Sequence, residues 1–60
     1  MIQIGDIVEI QDRTGVEPYV IDGERYTVID VQESGTLKIA DNETTAFIPQ
    51  SQVKKVKVID

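Results

Sequence analysis

The chain has 60 residues, a formal net charge of −5 at pH 7, and neither cysteine nor histidine. A chain this short buries only about 60% of its unfolded surface, which leaves one core and little room for a deep catalytic pocket. Disulfide staples, thiolate metal sites, cysteine nucleophiles and the histidine proton shuttle are all excluded by composition.

Ile2, Ile4, Val8 and Ile10 share one parity, broken only by Asp6. A period of two in β-branched residues predicts a strand. Gly5-Asp6 marks a kink that sets residues 1–5 apart as an N-terminal arm. From Asp12 to Asp22 the alternation stops, and Gly15 and Pro18 punctuate a long loop whose Tyr19–Ile21 segment is expected to pack back on the sheet. Asp22-Gly23 is a turn signal, because glycine tolerates the positive φ such turns need.

Arg25 to Gln32 is the clearest strand, with Tyr26 and Val28 on one face and Ile29 and Val31 on the other. Apolarity on both faces predicts a strand that bends and changes face. Glu33-Ser34-Gly35 is a short turn, and Thr36 to Ala40 follows with Leu37 and Ile39 inward and Lys38 outward. Asp41-Asn42-Glu43 turns the chain into Thr45–Pro49. Pro49 has no N–H for a ladder and holds φ near −65°. Gln50, Ser51 and Gln52 fit one 3₁₀ turn, after which Val53 re-enters the core. A lysine-rich last strand then alternates Lys54, Val56, Val58 against Lys55, Lys57, Ile59, with 57–60 as a C-terminal extension. Pairing this strand with the arm would cover both edges.

The run Phe47-Ile48-Pro49-Gln50-Ser51-Gln52-Val53 resembles the closing corner of a Src-homology-3 (SH3) domain, an aromatic–aliphatic–Pro–x–x–Tyr–Val stretch. Gly23-Glu24 followed by Tyr26, Val28 and Ile29 is similar to that family's second strand. The resemblance spans residues 6–56 and implies a single all-β domain over residues 1–60. The expected fold is a five-stranded antiparallel SH3-like barrel with a 3₁₀ turn before the last strand. It does not carry the family's polyproline groove, whose floor is aromatic. The first-strand aromatic pair falls at Glu9 and Gln11, or at Ile10 and Asp12. The groove tryptophan falls near Thr36 and the corner tyrosine at Gln52. The expected core is Val8, Ile10, Tyr26, Val28, Ile29, Leu37, Ile39, Ile48 and Val53.

Charge is unevenly spread. Residues 1–33 carry eight acids against Arg13 and Arg25, while residues 34–60 carry three acids against four lysines. Lys38, Lys54, Lys55 and Lys57 could touch phosphates, but lysines also guard an edge strand, and the acidic balance repels nucleic acid. Glu17, Asp22, Glu24, Asp30 and Glu33 read as a solvated rim or an acidic docking face, and their spacing is not that of a calcium loop. Ile2, Ile4, Val56 and Val58 read as a satellite cluster between the arms or as a sticky patch that binds a second copy. No constellation for catalysis and no cofactor site stands out.

The expectation is a non-catalytic protein-interaction module or small accessory subunit of bacterial or phage type. Its candidate contact residues are Glu17, Tyr19, Asp22, Glu24, Ile2, Ile4, Val56 and Val58. The expected partner is another protein with a basic surface, the chain itself being a monomer or a weak homodimer through its terminal arms. A nucleic-acid-associated barrel using the lysines is the alternative, and an acidic mimic of nucleic-acid charge a third. No apolar run reaches membrane-spanning length and no secretory leader is recognisable, so a cytoplasmic location is expected.

Overall fold

The computed structural model describes residues 2–56. Five strands, β1 (Ile7–Ile10), β2 (Arg25–Val31), β3 (Thr36–Ala40), β4 (Thr45–Pro49) and β5 (Val53–Lys55), form one antiparallel sheet in the order β4-β3-β2-β1-β5. A 3₁₀ turn, Gln50–Gln52, separates β4 from β5. These two strands lie at opposite ends of the sheet order and share no ladder, so the sheet is open where the sequence leads one to expect a closed barrel. Among the described residues no helix is long and apolar enough to cross a membrane.

Alternation decides which side chains enter the core. Val8 and Ile10 of β1, Tyr26 and Val28 of β2, Leu37 and Ile39 of β3, and Ala46 and Ile48 of β4 are buried, while their neighbours face out or lie half-buried. Val53 and Val20 complete the core. Pro49 sits at φ −64° and ψ 144°, an extended geometry its ring favours. The chain then tightens into the 3₁₀ turn and delivers Val53 to the interior.

Ile29 is not a core residue: it is 41% exposed. Val28 pairs with Ile39 and Asp30 with Lys38, so Ile29 is an extra residue in β2 and forms a β-bulge. The bulge reverses the parity of the strand, turning Val31 towards the core opposite Leu37. The expected change of face is therefore present, and Ile29 is the residue that it ejects. Ala46 and Val20, absent from the expected core, are both buried. Val20 is the one side chain of the Tyr19–Ile21 segment that enters the core, and Tyr19 and Ile21 on either side of it stay exposed.

The arm ends in a turn at Gly5, φ +95°, where Asp6 N–H donates to the Gln3 carbonyl. Gly5 N–H then donates to Val28 of β2. β5 pairs with β1, and Val56 N–H continues that ladder onto Ile7. The expected longer pairing with the arm falls on residues 57–60, outside those described.

Candidate interaction surface

Residues 11–24 form the long connection between β1 and β2, and side chains stitch it into one conformation. The Asp12 carboxylate accepts from the Thr14 N–H at 2.9 Å and its hydroxyl at 2.6 Å. The Arg13 guanidinium donates to the carbonyls of Pro18 and Val20, at 2.9 and 3.2 Å. Asp22 accepts from the Arg13 N–H at 2.9 Å. From the 3₁₀ turn beside it, the Gln52 amide donates to the Asp12 and Thr14 carbonyls, and the Tyr19 hydroxyl of the loop donates to the Thr45 carbonyl of β4. A loop whose own polar groups are met in this way resists local opening.

The stitching has an electrostatic consequence. Arg13 directs its guanidinium at the backbone of its own loop, while Glu17, Asp22 and Glu24 remain exposed. The loop therefore presents an acidic rim. Beside it, between loop and β4, lies a groove of about 330 Å³ lined by Gly15, Val16, Glu17, Tyr19, Thr45, Ala46 and Phe47. Tyr19 is 46% exposed and Phe47 51%. Phe47 was not among the expected contact residues, although its place between inward Ala46 and Ile48 already assigns it to the outer face.

The other candidates lie outside the long loop. Ile2 packs against the core and Ile4 is exposed in the arm's turn. Val56 lines a separate cleft of about 500 Å³ with Ile7, Arg25, Tyr26, Thr27, Ala40, Asp41 and Asn42. Val58 lies outside the described residues. The lysines are also divided. Lys38 of β3 sits 5.8 Å from the Phe47 ring centroid, a cation–π contact. Lys54 and Lys55 lie on β5, with β1 and β2 between them and β3. Lys55 is 3.4 Å from Asp6, and Lys54 lies opposite Glu9. Lys57 is outside the described residues.

Three carboxylates titrate below the ordinary carboxylate range, each because hydrogen bonds favour its charged form. Asp6 is held down chiefly by the Gln3 N–H, with desolvation opposing it and Lys55 lowering it further. Asp12 is held down by the Thr14 hydroxyl and N–H, and Asp41 by the Glu43 N–H and then the Thr44 hydroxyl and N–H. All three close turns. Among the described residues no group of three or more carboxylates is arranged to hold a metal ion.

Gln52 stands where the resemblance places the tyrosine of a polyproline groove, and its amide is committed to the loop backbone. Compared with protein families, curated proteins and solved structures, the chain matches none.

Proposed function

We propose that this chain is a non-catalytic protein-interaction module that docks a basic-surfaced protein on the acidic rim of its long loop. The observation that carries the reading is the division of charge in that loop. Arg13 is tied to backbone carbonyls, and Glu17, Asp22 and Glu24 are left facing solvent on a braced segment. A braced loop loses little conformational entropy on docking, and a one-signed rim speeds encounter with an opposite field. Tyr19, half-exposed beside Glu17, supplies a rigid amphipathic contact of the kind enriched at interfaces.

A labelled sample titrated at low salt with a lysine- and arginine-rich peptide, and separately with an acidic peptide of equal length, tests the reading. Amide shifts should move for the basic peptide only and concentrate on residues 17–24. Glu17→Gln with Glu24→Gln should abolish them, and added salt should weaken them. Shifts spread evenly over the surface, or equal for both peptides, would sink it.

A further inference from the structure

The end of the β2–β3 ladder carries an inference that goes beyond the docking reading. The last pair of that ladder is Thr27 with Ala40, yet β2 runs on to Arg25 along β1. Past Ala40 the other chain segment turns away, and Asp41 N–H donates to Thr44. Ile10 N–H donates to Glu24 and Val28 N–H to Asp6, so alternate residues of β2 bond towards β1. Arg25 falls between them and turns its own N–H and carbonyl the other way, where no described residue meets them. The cleft of about 500 Å³ is lined from both sides of this gap, by Arg25 and by Asn42, and by half-buried Ile7, Ala40 and Val56.

We propose that this cleft binds the C-terminal carboxylate of a partner peptide whose last side chain is apolar. The Thr27–Ala40 pair closes the gap at one end, so the gap admits the end of a chain and not its middle. Charge selects which end. Among the described residues Arg25 is the only cation lining the cleft. Its planar guanidinium suits a carboxylate and repels an amino terminus. The Arg25 Nε lies 3.7 Å from Glu9, and the side chain is 62% exposed, so that pairing is loose and leaves the guanidinium free to donate. Asp41 also lines the cleft, but its carboxylate accepts from the Glu43 N–H and from the Thr44 N–H and hydroxyl of its own turn. The Arg25 N–H adds a backbone donor for the bound carboxylate. The apolar side chain then covers Ile7, Ala40 and Val56, and burial of these surfaces favours the complex.

The labelled full chain, titrated with an acetylated tetrapeptide ending in Val-Leu, gives the test. With a free carboxylate on the peptide, amide shifts should gather at Ile7, Arg25, Thr27, Ala40 and Asn42. The same peptide with a C-terminal amide should leave them unmoved. Arg25→Gln should weaken binding about tenfold, with circular dichroism and the melting transition retained because this side chain is exposed. Glu17→Gln with Glu24→Gln should bind the peptide as the parent does, which separates this site from the acidic rim. Equal shifts with the amidated peptide, no shift at millimolar peptide, or undiminished binding by Arg25→Gln would overturn the proposal. So would isovalerate binding as tightly as the peptide, since the cleft would then take a small acid and not a chain end.

Discussion

The Gln52 side-chain amide donates to the Asp12 carbonyl at 2.7 Å and to the Thr14 carbonyl at 2.9 Å, across forty and thirty-eight positions of sequence. It joins the 3₁₀ turn to the start of the long loop. In return, the Gln11 and Asp12 N–H groups donate to the Gln52 carbonyl, at 2.9 and 3.2 Å. One residue thus bonds the loop through both its side chain and its backbone.

Gln52→Ala removes the two side-chain bonds and leaves the backbone pair. Net worth per bond is about 1 kcal/mol and less at an exposed site, so stability should fall by roughly 1 kcal/mol in urea unfolding. Amide exchange in residues 12–22 should accelerate more than in β2 and β3. Uniform acceleration over the whole chain would mean that the clamp is not local.

The bulge assignment is tested by two isoleucines. Ile48 is fully buried, and Ile48→Ala should cost about 2–5 kcal/mol. Ile29→Thr, on a residue 41% exposed, should stay within about 0.5 kcal/mol. Equal losses in the two variants would return Ile29 to the core.

Val20 offers a parallel test of the loop. It is fully buried although no strand contains it. Val20→Ala should cost about 1–3 kcal/mol, as a strand valine would. A melting curve unchanged from the parent would show that the loop does not contribute to the core.

Gly23 sits at φ +84° with nothing near its absent Cβ. Gly23→Ala is therefore opposed by backbone conformation and not by space, at about 1–2 kcal/mol. Gly23→Asn, which tolerates the left-handed region, should recover part of that loss.

Acid should destabilise the fold through Asp6, Asp12 and Asp41. Each has a folded-state pKa below its unfolded one, so its contribution is complete above the unfolded value, about 4, and is lost as pH falls through the lowered value. Melting temperature should hold between pH 7 and 5 and drop below pH 4. Asp12→Asn with Asp41→Asn should flatten the drop, because an amide oxygen still accepts these bonds but does not titrate. A parallel drop in that variant would assign acid sensitivity elsewhere.

Much of this molecule is legible from local pattern. The period of two located the strands, glycine and aspartate marked the turns, and Pro49 with three polar residues announced the 3₁₀ turn, because these features depend on neighbours in the chain. Contacts remote in sequence were not legible. Whether Ile29 is inside or out depends on a bulge fixed by its pairing with β3, and periodicity carries no trace of the partner strand. Val20 is buried because the loop folds back over the sheet. The loop also comes to lie alongside β4, where the Tyr19 hydroxyl meets the Thr45 carbonyl and a groove runs past Phe47, and Gln52 is a clamp because the loop starts beside it. Alternation along a strand is local stereochemistry, whereas burial, closure and exposed edges depend on which distant segments come to lie alongside.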